Sequence, residues 1–229
     1  MSYTFGDVMR AARDRSTYFA RSRIPGGPAA RNASAIQRDL LMKGAQRAPD
    51  RFALTTTIAI QNPPQVGIAQ TLPANLLVER VETDFLGGLP TPEKTRMIPV
   101  SRKYDYDQDR AVYLLNGSLY MTGQAADWNN VTQLTVFYVP LPNDFAAETD
   151  AVTLPDDAKE ALVSRLALAF ALHVNGMPYD ARNPTSQPIQ VDVGSFQALA
   201  AEAEHAWLAS IVTQVRQART TNRNSLYLT

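Results

Sequence analysis

Residues 154–178 read LPDDAKEALVSRLALAFALHVNGMP, and this stretch carries both the start and the stop signals of a helix. Pro155 suits the first helical turn, where its missing N–H is not needed, and Asp156 and Asp157 complement the positive end of the helix dipole. Gly176 and Pro178 end the segment. Because the helix is apolar on nearly every side, we expect its own domain and a further surface to bury it.

A membrane span is the first alternative, since Pro155 to Asn175 would form a helix about 31 Å long. Six polar or ionisable side chains argue against it: Asp156, Asp157, Lys159, Glu160, Arg165 and His173. The N-terminal sequence MSYTFGDVMRAARDR also has no apolar signal-peptide core, so we do not expect secretion by that route. Burial in a folded globular protein is the better interpretation.

Composition supports a globular chain, with 229 residues, 45% hydrophobic residues, no cysteine and a net charge of zero. The absence of cysteine excludes disulfides and thiolate chemistry. The charge is uneven, because 1–51 and 205–229 are basic whereas 52–204 is acidic. This asymmetry suits contacts between copies or with a charged partner, and an ordinary solvated surface is the alternative.

Helices are predicted at both ends of the chain. Thr4 and Asp7 have the spacing of a capping box, and a second helix is expected from Ala29 to Arg47 after the break at 25–28. These two helices should form a hairpin. Near the C-terminus Asp192 can cap a long final helix with inward positions at helical spacing: Phe196, Leu199, Ala200, Ala203, Trp207 and Ile211.

Short strands are predicted between these helices. β-branched runs occur at 54–60, 65–73, 75–83, 96–101 and 132–140. Asn116-Gly117 lies between two alternating segments, as a type I′ hairpin turn requires. We therefore predict an α+β fold: a helical bundle of two N-terminal and two long C-terminal helices, with an inserted small antiparallel β domain. The bundle would comprise 1–51 and 148–229, including a C-terminal tail, and the insertion 52–147.

The sequence offers no catalytic constellation, and we predict neither an enzyme nor a cofactor. His173 and His205 lie in predicted helices without a carboxylate at a metal-ligand spacing. Alternate aspartates occur in YDYDQDR, as at the start of a calcium-binding EF-hand loop: Asp105, Asp107 and Asp109. However, Arg110 and Asn116 occupy the positions where that loop needs glycine and glutamate. A charged loop or strand edge is therefore the preferred interpretation.

The N-terminal segment contains five arginines that could meet phosphate: Arg10, Arg13, Arg15, Arg21 and Arg23. Only Tyr18 and Phe19 supply aromatic residues nearby, so the pattern for stacking on bases is weak. A polar helix face is the simpler interpretation. A nucleic-acid-binding module remains an alternative function.

Five segments in order give the chain a resemblance to a known family: "RAPDRF", "IAQTLPANLLVERVET", "VYLLNGSLYM", "QLTVFYVPLPNDF" and "TLPDDAKEALVSRLALAFAL". In this order the chain resembles the head-to-tail connector (adaptor) proteins of tailed bacteriophages, including the tubular tail adaptors of short-tailed phages. The resemblance spans nearly the whole chain and rests on patterns of strand, turn and helix start. The loop LGGLPTPEKTRMIP (86–99) departs from the pattern.

The resemblance implies a structural protein of the virion neck, assembled in the host cytoplasm. About twelve copies would form a ring between the portal protein and a tail or nozzle protein. Genomic DNA would pass through its lumen without sequence recognition, and no membrane contact is implied. A tail-completion or head-closure ring protein is the closest alternative.

Two sets of residues are candidates for these contacts. The apolar helix and the final helix provide candidates for a subunit interface: Leu162, Leu166, Phe170 and Trp207. The C-terminal tail combines arginines with an aromatic and two aliphatic residues, a composition typical of a binding segment: Arg216, Arg219, Arg223, Leu226, Tyr227 and Leu228. The resemblance implies the portal as the partner of this tail.

Overall fold

In the computed structural model, the described residues are 3–20, 24–85, 93–103, 110–176 and 190–225, with side chains described except at 85 and 215–225. The chain divides into two compact units. The helical unit comprises Met1–Ala48 and Pro142–Thr229, and the sheet unit comprises Pro49–Leu141.

The helical unit contains four α-helices: α1 Phe5–Arg13, α2 Gly26–Arg47, α4 Lys159–Asn175 and α5 Val193–Ser225. Thr4 caps α1, since its hydroxyl accepts from the Asp7 N–H while the Asp7 carboxylate accepts from the Thr4 N–H, as the spacing predicts. The short 3-10 helix Asp156–Ala158 leads into α4. Helices α1, α2 and α5 all pack against α4, which explains why α4 is apolar on most sides.

Two buried polar residues of α2 hold the segment 145–153 of the same unit. The Ser34 hydroxyl accepts from the Phe145 N–H at 2.9 Å and donates to the Ala30 carbonyl at 2.9 Å. The Gln37 side-chain carbonyl accepts from the Thr153 N–H at 2.9 Å. Because a buried amide without an acceptor is costly, these contacts fix the path of the chain towards α4.

The sheet unit begins with the short helix α3, Pro49–Phe52, and then forms seven strands within the described residues. The strands are β1 Leu54–Ala59, β2 Gln70–Thr71, β3 Asn75–Phe85, β4 Glu93–Met97, β5 Ala111–Leu115, β6 Ser118–Met121 and β7 Val131–Pro140. Their order in the sheet is β1-β7-β3-β4-β5-β6-β2. All neighbours are antiparallel except β4 and β5, which run parallel, with Arg96 beside Ala111.

The sheet curls around a main core and is nearly closed, like a barrel, and Ile98, Ala111 and Tyr113 form a second, smaller buried cluster. Inward side chains from several strands meet in the main core: Val78, Val81, Val112, Leu119, Leu134 and Val136, around the fully buried Trp128. The Trp128 indole N–H donates to the Thr122 carbonyl at 2.8 Å, so its one polar atom is satisfied. Asn116 and Gly117 have φ values of 50° and 75° between β5 and β6, which confirms the predicted turn.

The expected fold class, a helical bundle with a small antiparallel β insertion, is wrong. The sheet is mixed, nearly closed and seven-stranded within the described residues, and the helices do not stack as two hairpins. Phe19, between α1 and α2, packs against Phe170 of α4 and Phe196 of α5. Helices α1 and α2 therefore each contact α4, rather than forming the hairpin that we expected.

Strand β4 ends earlier than the sequence predicts, and its end has a local cause. Pro99 cannot donate a ladder hydrogen bond, and the chain enters the 3-10 helix Val100–Arg102 directly after it. The predicted strand at 96–101 therefore ends at Met97. Strand β5 lies beside β4 and runs in the same direction.

Candidate docking surface

Helix α5 runs antiparallel to α4 and is much longer. At one end the Asn175 side chain makes two hydrogen bonds of 2.8 Å with the backbone of Val191. Further along, Arg165 of α4 lies beside Glu204 of α5, with 3.3 Å between guanidinium nitrogen and carboxylate oxygen. Because the helices are antiparallel, Lys159, six residues before Arg165, lies beside about residue 210 of α5, six residues after Glu204.

Four charged side chains join α2, α4 and α5 at this level. The Lys43 ammonium lies 2.6 Å from the Glu204 carboxylate and 3.1 Å from the Asp39 carboxylate. Arg165 contacts both carboxylates as well. Each cation therefore touches two anions, which makes the arrangement a network that links three helices rather than a set of separate pairs.

The pKa values of two members of the network are shifted. Burial alone would raise the pKa of Asp39, but hydrogen bonds from Arg165 and Lys43 outweigh it and hold that pKa below its usual value. The hydrogen bond to Glu204, supported by one to Asp39, raises the pKa of Lys43. Both shifts favour the charged forms of Asp39 and Lys43.

Beyond this level α5 continues through 214–225, about 18 Å at 1.5 Å per residue. Positions Arg216, Arg219 and Arg223 follow helical spacing, so their backbone positions lie on one side of the helix. The interval 193–225 contains neither proline nor a second glycine after Gly194, which explains why the helix extends into the segment that we expected to be a tail. Leu226, Tyr227 and Leu228 lie outside the described residues.

The four candidate interface residues lie in the interior of the helical unit. Leu162 and Leu166 are fully buried, and Phe170 and Trp207 are nearly so. Leu162, Leu166 and Phe170 are buried because three helices of the same chain cover α4. These side chains are therefore part of the chain's own core, and the existence of a subunit interface remains a prediction about other residues.

Among the side chains that the structure describes, the exposed large aliphatic residues on these two helices are Leu172 and Leu199. Leu172 on α4 is 56% exposed and Leu199 on α5 is 45% exposed. They follow Phe170 and Phe196, the two residues that contact Phe19, by two and three positions. Leu199 was predicted to point inward, but it is exposed, and the neighbouring Ala200 is buried instead.

The described N-terminal arginines, Arg10, Arg13 and Arg15, each contact an acceptor of the same chain. Arg15 pairs with Glu160, and Arg10 lies 4.0 Å from the Asp7 carboxylate. The Arg13 guanidinium donates to the Ile24 carbonyl at 3.4 Å. Arg21 and Arg23 lie outside the described residues. Partial neutralisation of this segment weakens the case for a nucleic-acid-binding face.

The remaining candidates concern metals and membranes. His173 and His205 are both exposed on their helices. Asp105, Asp107 and Asp109 lie outside the described residues. Among the residues that the structure does describe, no group of three or more possible ligands could hold a metal ion. In the same part of the chain, no helix has the length and hydropathy for a membrane span.

The charged network and the buried Gln37 are the site residues that sequence analysis missed. The spacing of Asp39 and Lys43, four residues apart, is a detectable signal for an ion pair on one helix. No local sequence pattern identifies Arg165 and Glu204 as the other two members of the network. Comparison of the chain with known protein families and with curated protein sequences finds no match.

Proposed function

We propose that the protein is a structural adaptor, which joins the portal vertex of a phage head to the tail as one member of a homo-oligomeric ring. The observation that carries this proposal is the arm at 214–225, where α5 continues past α4 with three arginine positions on one side. An anchored helix with a basic extension is suited to docking against an acidic surface. The order of sequence segments supports the portal as the owner of that surface.

The charged network supports the same role. A docking arm transmits force to the body of its subunit, so its base has to be held firmly. Glu204 and Trp207 lie about two to three helical turns before the arm, one in the network and the other in the core. This arrangement fixes the direction in which the arm leaves the helical unit.

Binding to portal rings encoded by the same genome tests the docking role. A variant with Arg216→Glu, Arg219→Glu and Arg223→Glu should lose co-sedimentation with portal rings, because an acidic partner would repel it. Substitution of Arg10→Glu, on the exposed surface of α1, is the matched control and should leave binding unchanged. Equal binding of both variants would refute the arm as the docking element.

Ring formation has a separate test on α4. Leu172→Lys should leave a folded monomer but prevent ring assembly, if the exposed part of α4 contacts a neighbouring copy. Leu166→Lys should unfold the protein, because that side chain is fully buried in its own chain. Rings of Leu172→Lys seen by electron microscopy would exclude this part of α4 from the interface.

A nucleic-acid-binding function makes a different prediction. In that case, short duplex DNA should bind the isolated protein with an affinity that falls steeply with salt, and Arg10→Glu should weaken it. The adaptor proposal predicts no such effect of Arg10→Glu on portal binding. The two outcomes can be told apart in one set of variants.

A further inference from the structure

The two edge strands of the sheet are protected very differently. β2 is only two residues long, and Pro73 follows it closely. β1 is six residues long, Leu54–Ala59, and contains neither a charged residue nor a proline. Proteins usually protect edge strands by shortness, charge or proline, because unpaired backbone groups can pair with another chain. β1 has none of these protections.

The backbone groups on the open side of β1 can be identified. The Ile60 N–H donates to the Thr132 carbonyl at 2.9 Å. Ile60 is therefore a hydrogen-bonded position in the antiparallel pairing with β7. Because bonded positions alternate, Thr56 and Ile58 direct their backbone groups towards β7. Thr55, Thr57 and Ala59 direct theirs away from it.

The open side of β1 is accessible. Thr55, Thr57 and Ala59 are all exposed. Among the described residues, no backbone group of another segment pairs with these three on the open side. The side chains on the opposite face, including Ile58, pack against the core of the sheet.

We propose that β1 pairs antiparallel with β1 of a second copy, across a two-fold axis at Thr57. The free backbone groups set this register, because they allow Thr57 to exchange both hydrogen bonds with its own equivalent. Thr55 then lies opposite Ala59 of the second copy. The strand thus offers matching donors and acceptors to an identical strand.

Side-chain pairing favours β1 of a second copy as the partner of the open edge of β1. In this register Leu54, which is 53% exposed, lies opposite Ile60 of the second copy on the same face. Thr56 lies opposite Ile58 of the second copy. No charged residue is opposed anywhere along β1, and an exposed leucine becomes covered. The strand is therefore complementary to itself in polarity as well as in hydrogen bonding.

This pairing is distinct from the contact that a ring would need. A two-fold contact joins two chains through the same surface, whereas a ring repeats a contact between two different surfaces. The inference rests on β1 alone and does not depend on the adaptor function. Loss of β1 pairing and loss of portal binding can therefore be measured independently.

A disulfide test is direct, because the chain has no cysteine. Thr57→Cys should give a cross-linked dimer on mild oxidation, since directly opposed bonded residues have Cα atoms about 5.5 Å apart. Thr55→Cys is the matched control, because its equivalent would lie about 14 Å away, four residues along the strand. The double variant Thr55→Cys and Ala59→Cys should cross-link again. Equal cross-linking at 55 and 57, or none at 57, would overturn the register.

A proline substitution tests the dimer without cross-linking. The Thr57 N–H points away from β7, so Thr57→Pro should leave the β1–β7 ladder intact while removing two hydrogen bonds between copies. We expect the dimer to weaken about tenfold or more in sedimentation equilibrium, and Thr57→Val to retain it. Thr57→Lys, which opposes two charges, provides a second variant should proline disturb the fold. An undiminished dimer in folded Thr57→Lys would refute the proposal.

Discussion

The two ends of α5 differ in what holds them. From Val193 to about residue 211 the helix lies along α4, buries Trp207 and Ile211, and enters the charged network through Glu204. From 214 to 225 the same helix continues past the start of α4 with three arginine positions and no acidic residue. One continuous helix therefore combines an anchor, in which buried residues contribute to stability, with an extension that continues past the start of α4.

The largest expected effect lies in the anchor. Trp207→Ala should reduce the free energy of unfolding by about 3–5 kcal/mol, because it removes a large side chain that is 3% exposed. Urea unfolding measures this loss. Leu199→Ala, at an exposed position of the same helix, should cost less than about 1 kcal/mol. Similar losses for both variants would mean that the anchor does not depend on its buried face.

A smaller effect is expected in the charged network. Glu204→Gln should reduce the free energy of unfolding by about 1 kcal/mol, because Lys43 and Arg165 both lose a charged acceptor that is partly buried. Glu202→Gln, at an exposed position two residues earlier, is the control and should change little. Thermal unfolding of both variants at low and high salt distinguishes a network effect from the overall charge.

Asp39 should have a smaller effect on the free energy of unfolding than Glu204, and this effect should depend on pH. Folding lowers the pKa of Asp39. Its contribution to the free energy of unfolding is therefore fully present above its unfolded pKa of about 3.9, and it is lost as the pH falls through the folded pKa. The stability difference between the native protein and Asp39→Asn should therefore shrink below about pH 4. Because the side chain is 43% exposed, we expect a difference under about 1 kcal/mol at neutral pH. A difference that grows on acidification would contradict the assigned pairing.

The arm should contribute least to stability. Replacing Arg216, Arg219 and Arg223 together by alanine should change the free energy of unfolding by less than about 0.5 kcal/mol, since these positions lie beyond the start of α4. Denaturant unfolding is the measurement. A loss of several kcal/mol would show that the arm belongs to the folded core, and it would remove the contrast between the two ends of α5.

Sequence analysis succeeded where a local signal was sufficient. Asp192 was predicted to cap the final helix, and its carboxylate accepts from the backbone of Gly194 at 3.0 Å and Ser195 at 3.3 Å. The Asn116-Gly117 turn and the Thr4 capping box were predicted equally well. Each of these features depends on residues within a few positions of one another, so their chemistry can be recognised without knowledge of the fold.

Predictions failed where partners lie far apart in the chain. The apolar surface of α4 was expected to be buried partly by its own bundle and partly by a further surface, but α1, α2 and α5 of the same chain all pack against it. Leu162, Leu166 and Phe170 therefore looked suitable for an interface although they belong to the core. The α5 arm was interpreted as a tail, since a helix with few apolar residues gives little periodic signal.

The sequence alone determined the helix caps, the hairpin turn and the absence of thiol chemistry, because each depends on residue type and short-range spacing. Tertiary structure decided the parallel pairing of β4 with β5, the edge position of β1 and the network around Arg165 and Glu204. These features depend on which distant segments become neighbours, and that choice is made by the packing of whole faces rather than by any local pattern.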